Sequence, residues 1–529
     1  MIATGLLVLA AAAAPPPTVP PRLVVVIAVD QLRADYLDRF RPWFGPGGFN
    51  RFFRTGAVYP RARYEHVTTE TCPGHAVMLT GSYAGVNGIV ANQWYDPVQG
   101  RPVYCAEDGS VTLVGARGAG RSPRRLLGAT AGDLLKLATA GRSRVVTVSA
   151  KDRSAIMLGG HRADAAYWIV DTLFVTSSWY RRDLPAWVSA VNRSGAVTRY
   201  FGTRWERLLP ASAYALVGPD DVVAEAEVEG MGRTFPHRIV DLDGFDHSPM
   251  ADQALADFAM RAVREEGMGR DSIPDLLAIS FSATDRIGHL YGPDSHEIMD
   301  QVIRLDRTLA RLFAFLDRTV GPGRTLVVLT ADHGVAPLPE KLAEGLPDGP
   351  RRMDPAVLDS AVSLALTDRY GPPSGSGWVS YDESPMLYLS RTALAARKVG
   401  LETAERVAQA ALLAVPGVND AVTGVELTRL RAAGAESDVI RSYYPARGAD
   451  LYYFLDPYWL PTTEAAGTGH GSPWRYDQEV PLLWLGPGVR PGVRAEPATV
   501  ADLAPTLSRL LGLDTPGGAQ GRVLGEILR

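Results

Sequence analysis

The chain has 529 residues, 46% of them hydrophobic, and carries a net charge of −4. That is enough apolar material for a large core, while the slightly acidic balance leaves no basic footprint for nucleic acid or an anionic membrane surface, so neither is expected as a partner. The cysteines, Cys72 and Cys105, are too few for a disulfide scaffold and are compatible either with one bridge in an oxidising compartment or with two buried thiols.

The chain begins MIATGLLVLAAAAAPPPTVPPR. An apolar run from Leu6 to Ala14, small residues near its end and a Pro-rich spacer predict a secretory signal over 1–21 and a periplasmic or secreted protein, although no Lys or Arg precedes the run. The run is too short to span a bilayer, and no later segment reaches the roughly 20 apolar residues of a membrane helix, so no stable insertion is expected. Residues 22–529 are then the catalytic domain.

Its first strand, VVVIAVD, ends at Asp30. The stretch ADYLDRFRPWF predicts a short amphipathic helix closed by GPGG. In HVTTETCPGHAVMLTG the proline suits a first helical turn, which puts Thr71 at or near a helix N-cap. A hydroxyl there faces free N–H groups and the positive end of the helix dipole, a natural seat for a phosphoryl oxygen. An ordinary capping threonine reads the same way locally, and Thr68 and Thr69 are rivals. Asn92, in GIVANQWYD, can donate an amide N–H to an anionic oxygen or simply serve a turn.

Further on, SRVVTVSAKDRSAIML reads as a buried strand ending at Lys151, Asp152 and Arg153. In extended geometry Lys151 and Arg153 point to the same side; they form either a phosphate-binding pair or a solvated basic turn. Two more strands end at Asp285 with His289 and at Asp332 with His333. Between them, apolar residues recur every three or four positions from His296 to Leu316, which predicts a crossover helix in a parallel sheet. His470 lies in the flexible GTGHGSP. VPLLWLG predicts a late buried strand, and TVADLAPTLSRLLGL a helix capped by a threonine. Segments of about 160–270 and 338–465 break the alternation and are read as insertions, the second a small α/β module. The other six histidines, His75 among them, are assigned structural or supporting places.

The expected fold is therefore α/β, a mostly parallel central sheet flanked by helices on both faces, with inserted cap segments. Active sites of such sheets lie outside the carboxyl ends of the strands, so Asp30, Asp285, His289, Asp332, His333 and His470 should converge there as a binuclear metal site. Mixed nitrogen and oxygen donors suit zinc better than calcium or magnesium.

In this order the motifs AVD, TTETCPGHAVMLTG, ANQWYD, AKDRSAI, SATDRIGH, TADHG and GTGHGSP resemble the alkaline phosphatase superfamily. Within it the chain resembles the type I phosphodiesterase and nucleotide pyrophosphatase grouping, and most of all the monomeric alkaline phosphatases of PafA type with a threonine nucleophile. The resemblance implies two zinc ions per chain, one held by Asp285, His289 and His470 and the other by Asp30, Asp332, His333 and the Thr71 oxygen. It implies attack by Thr71 on phosphorus and hydrolysis of the phosphothreonine with overall retention. Lys151 and Arg153, absent from the diesterase members, favour small phosphate monoesters over diesters, which remain the alternative. A monomer is the expected form.

Overall fold

The computed structural model describes residues 20–346, 349–373, 375 and 377–529, so nearly all of the expected signal peptide lies outside the described residues. Leu23–Val29 (β1) is an unbroken apolar run in which every residue is fully buried. Successive strand side chains point to opposite faces, so complete burial means that both faces of the sheet are covered. Such a strand belongs at the centre of a sheet. There it lies between Asp275–Phe281 and Thr325–Thr330, parallel to both.

Numbered along the chain, the principal strands of this ten-stranded sheet are β1, β2 (Ala57–Arg63), β3 (Val145–Ser149), β4 (Ala165–Val170), β5 (Leu173–Ser177), β6 (Asp275–Phe281) and β7 (Thr325–Thr330). The late strand Glu479–Leu485 joins antiparallel between β7 and β2. The spatial order across the sheet is β2, Glu479–Leu485, β7, β1, β6, β3, β4, β5, with a two-residue strand at either edge. The sheet is thus mixed but parallel through its middle, from β7 to β4.

Helices α1 (Thr71–Thr80), α2 (Asp152–Gly159), α3 (Pro249–Glu265), α4 (Ala283–Tyr291) and α5 (His296–Thr319) matter for the site. The predicted crossover helix is α5, and its apolar stripe of Ile298, Val302, Leu305, Leu309, Phe313 and Leu316 is buried. The threonine cap near the C-terminus is Thr499, which forms a capping box with Asp502 ahead of helix Leu503–Leu511.

Two local expectations change. The amphipathic helix over ADYLDRFRPWF is one α turn, Tyr36–Arg39, followed by a 3-10 turn, Arg41–Trp43. Pro42 has no N–H with which to continue an α-helical ladder. The segment 160–270, expected as an insertion, contributes β4 and β5 to the main sheet and α3 to its packing. Within 338–465, four strands, Val379–Glu383, Met386–Leu389, Val418–Thr423 and Leu451–Leu455, make a second sheet. Helices Ala356–Tyr370 and Leu401–Leu413 share its core.

Candidate active site

Strand register brings the chemistry together. Ala28 lies opposite Ser280 on one side and Thr330 on the other, while Ser280 lies opposite Ser149. Two residues beyond those pairings, Asp332, Asp30, Ser282 and Lys151 stand side by side across β7, β1, β6 and β3. Adjacent strands are about 4.8 Å apart, so Lys151 is roughly 10 Å of backbone from Asp30, a distance its side chain can span. Its Nζ lies 2.9 Å from Asp30 Oδ2 and 2.5 Å from Asp285 Oδ2.

The carboxylates are held by neighbouring donors. Ser280 and Ser282 hydroxyls donate to Asp30 at 2.8 and 3.1 Å. Gln31 links both halves of the site, with its backbone N–H on Asp332 Oδ1 at 3.0 Å and its side-chain amide on Asp285 Oδ1 at 2.9 Å. The backbone of Gln31 has φ of 64°, a conformation that a non-glycine residue adopts only when its surroundings enforce it. Gly288 makes room for that side chain, because a Cβ there would overlap Gln31 Oε1. Burial pushes the Asp285 carboxyl up, but Lys151, His289 and His470 together hold it well below the usual carboxylate range.

Three imidazoles close the cluster in one pattern. Nδ1 of His289, His333 and His470 lies on a backbone oxygen, Thr468 at 2.9 Å, Gly334 at 2.9 Å and Thr69 at 2.7 Å respectively. A ring that donates from Nδ1 keeps the lone pair on Nε2, the form that binds metals. His289 Nε2 is 3.3 Å and His470 Nε2 3.6 Å from Asp285 Oδ1, and His333 Nε2 is 3.4 Å from Asp332 Oδ2. Burial lowers His333 to about 4 and, with His333 and His289 nearby, holds His470 well below its ordinary value, so both stay neutral. His333 Nε2 and Asp332 Oδ2 are buried with no hydrogen-bond partner. Orphaned donor atoms at the centre of a carboxylate and imidazole cluster are what a metal would satisfy.

His75, one turn after Thr71, stands closer to the centre than its sequence context suggested. It lies 3.5 Å from Asp30 Oδ1 and 3.3 Å from Asp332 Oδ2. Both ring nitrogens are already engaged, Nδ1 with Thr71 O at 2.9 Å and Nε2 with Ser280 Oγ at 3.0 Å, which marks it as a positioning residue. Among the described residues, two groups of three could hold a metal, Asp30 with His75 and Asp332, and Asp285 with His333 and His470, the donor atoms of each lying within 4.8 Å of one another. His333 thus stacks on His470, with ring centroids 3.5 Å apart, instead of lying wholly with Asp30 and Asp332.

Thr71 is the first residue of α1, with Glu70 in extended conformation at the N-cap, so the expected capping role passes to Glu70's position. Thr69 hydroxyl is spent on Ser472 O at 2.9 Å. Asn92 Oδ1 accepts the Cys72 N–H at 2.8 Å, and Asn92 N–H donates to Glu70 Oε2 at 2.7 Å, which ties the loop to the start of α1. Cys72 and Cys105 form a disulfide beside this junction. The expectation that Lys151 and Arg153 extend from one strand is corrected: only Lys151 is extended, and Arg153 sits in the first turn of α2. Arg153 nonetheless borders the site, within electrostatic reach of Tyr104, Asp152 and Asp285.

Sequence reasoning gave His75 a structural or supporting place but passed over Gln31, Ser280, Ser282 and also Asp477, whose carboxylate accepts Ser472 N–H and anchors the His470 loop. Their one readable signal is adjacency: each lies within two residues of a site residue or the end of a strand.

Comparison with known proteins places these residues in context. The sequence model described as type I phosphodiesterase / nucleotide pyrophosphatase matches residues 24–466. Alkaline phosphatase PhoV of Synechococcus elongatus is 34% identical over 95% of this chain and 92% of its own. A protein of Myroides odoratus named calcium-transporting ATPase is 32% identical over 95% and 94%; among the described residues here, no helix is long and apolar enough to cross a membrane. Alkaline phosphatase PafA of Elizabethkingia meningoseptica is 33% identical over 95% and 93%. The crystal structure of wild-type PafA superimposes with a TM-score of 0.91 over 98% of this chain and 100% of that one.

Proposed function

The chain belongs to the type I phosphodiesterase / nucleotide pyrophosphatase family, and from that premise we propose that it is a zinc-dependent phosphate monoester hydrolase acting through a phosphothreonine at Thr71. Relatives named alkaline phosphatase along nearly the full chain support the reaction class. The observation that carries the reading is the meeting of a helix-start threonine, two sets of side chains able to hold metal and the Lys151 ammonium at the carboxyl ends of the central strands.

Asp285, His289 and His470 would hold one ion, and Asp30, Asp332 and His333 together with the Thr71 oxygen would hold the other. When bound, the two zinc ions supply Lewis acidity that lowers the pKa of an alcohol or water and offsets charge on the transferring phosphoryl group. Thr71 attacks phosphorus at the positive end of the α1 dipole, giving up its hydroxyl proton to solvent as the P–O bond to the departing alcohol breaks. Asn92 Oδ1 is committed to Cys72 N–H, so its amide Nδ2 is the group left to donate to a non-bridging oxygen. Lys151 and Arg153 meet the remaining charge of a monoester dianion, Lys151 moving from its carboxylate contacts to the substrate. Water then attacks the phosphothreonine in line, and two inversions give net retention.

Export belongs to the same reading. It is supported by the leader-like sequence of 1–21 and by the Cys72–Cys105 disulfide, since such bonds persist in oxidising compartments. Small phosphate esters are the proposed substrates and a monomer the working form.

The test is a panel of phosphate monoesters and diesters assayed on protein stripped of metal and reloaded with zinc. Chelation should abolish turnover, zinc should restore it with about two ions per chain, and monoesters should be favoured. Turnover that is faster on diesters would instead support the diesterase activity named by the family.

A further inference from the structure

Residues 218–236, GPDDVVAEAEVEGMGRTFP, contain neither helix nor strand. The loop carries Asp220, Asp221, Glu225, Glu227 and Glu229 against one base, Arg233. Solvated acids would explain such a sequence, but Glu225 turns inward and is only 2% exposed. Neither of its carboxylate oxygens has a hydrogen-bond partner. Lys341 Nζ stays 4.0 Å away and donates instead to Asp294 O at 3.0 Å.

Glu297, the second residue of α5, is fully buried and belongs to the same cluster. Its Oε1 lies 2.9 Å from His237 Nε2, and its Oε2 has no partner. Burial, reinforced by the charge of Glu297, pushes the Glu225 carboxyl up to about 8. The Tyr291 phenol feels the charges of Glu297, Glu225, Glu227 and Asp220 together, and donates to Gly232 O at 3.0 Å. Two buried carboxyls, each with an oxygen that has no hydrogen-bond partner, are costly to hold in charged form unless a cation joins them.

We propose that Glu225 and Glu297 are the core of a divalent-cation site of calcium type, separate from the metals of the Thr71 site, which pins loop 218–236 to the start of α5. All-oxygen donors from carboxylates and an irregular backbone suit the six to eight flexible ligands of calcium. The imidazoles nearby are already engaged, His237 with Glu297 and His296 with Gly218 O and Asp220. The position has a consequence for the catalytic half of the molecule. Ala224 O accepts Gly467 N–H at 2.8 Å, and Ala226 N–H donates to Leu290 O at 2.9 Å. The neighbours of Glu225 therefore brace both the end of α4, which carries His289, and the loop that carries His470.

Zinc-loaded full-length protein, equilibrium-dialysed against calcium chloride, is analysed for total metal, and its melting temperature is followed against calcium. One calcium per chain beyond zinc is expected, with a rise of about 2–3 °C at a hundredfold excess over Kd. Glu225→Gln and Glu297→Gln should each weaken calcium binding by about tenfold or more and leave zinc content unchanged. His470→Ala should do the reverse, lowering zinc and keeping calcium, which separates this site from the catalytic reading. Wild-type protein that binds no calcium and melts at one temperature throughout overturns the proposal. So does a folded Glu225→Gln that binds calcium like wild type. If both glutamine variants fail to fold, the wild-type and His470→Ala titrations decide.

Discussion

At the scale of single residues, Thr71 is distinguished from its neighbour Thr69 by its place in the chain. Thr69 hydroxyl is tied to Ser472, whereas Thr71 is the first residue of α1. Thr71→Ala should lose the covalent intermediate and about three decades or more of turnover. Thr71→Ser, which keeps the oxygen but gives up the β-branch that restricts its rotamer, should stay within about tenfold. Mapping the trapped phosphoenzyme by mass spectrometry checks the choice, and label on Thr68 would move the nucleophile. On the proposed reading, Lys151 and Arg153 select the substrate class. Loss of charge-assisted hydrogen bonds of about 1.5–3 kcal/mol each corresponds to about one to two decades per residue. Lys151→Ala with Arg153→Ala should therefore slow monoester hydrolysis far more than diester hydrolysis, because a diester has one of those oxygens esterified. Equal losses on both substrates would make the pair structural.

At the scale of elements, α1 must approach the end of β7 closely enough for Thr71, the proposed nucleophile, and Asp332 to share a site. Gly74 permits this: a Cβ there would overlap the Asp332 backbone oxygen and approach its Cβ at 2.8 Å. The obstacle is backbone on the far side, so α1 itself would have to withdraw. Gly74→Ala should cost about 1–3 kcal/mol of overpacking, and it should lower zinc affinity and turnover by more than its loss of stability explains. Thermal unfolding and metal content measured on one preparation check this. A variant with wild-type zinc affinity would show that the contact is not needed to position the site. The sheet contributes in the same way, since the alignment of Asp332, Asp30, Ser282 and Lys151 is a property of register, and a shift of one residue would turn each side chain to the opposite face.

At the scale of the whole molecule, buried carboxyls outside the site set its response to pH. Glu405, 1% exposed in the core of the four-stranded module, is pushed by burial up to about 7. Asp382 in the same module is raised to about 7 by burial and by Asp359. In the unfolded chain such groups titrate near pH 4. Between those limits the native state holds protons that the unfolded state has released, so the stability they contribute is complete below about pH 4 and is lost as pH rises through about 7. The melting temperature of the metal-free protein should accordingly fall from pH 5 to pH 8. Glu405→Gln, which stays neutral and can still accept the Val425 N–H seen at 3.1 Å, should flatten that fall. An unchanged slope would show that Glu405 is not among the groups responsible.

The sequence by itself determined the parallel heart of the sheet, the crossover helix α5 and the identities of the groups that meet at the strand ends. Those features are written locally, in apolar runs too uniform for a surface strand and in polar residues placed at their ends. Adjacency in sequence did not reveal Gln31 bridging Asp332 and Asp285, His75 beneath both Asp30 and Asp332, or His333 stacked on His470. The geometry of Lys151 and Arg153 was misread because the strand period was carried one residue too far: α2 begins at Asp152. In segment 160–270, β4 and β5 pair with each other, and they pass for insertion because their outer partners, β3 and Leu113–Val114, lie elsewhere in the chain. The tertiary structure decided these points because each depends on register and on contacts between residues up to about 300 positions apart, a relation that no local periodicity records.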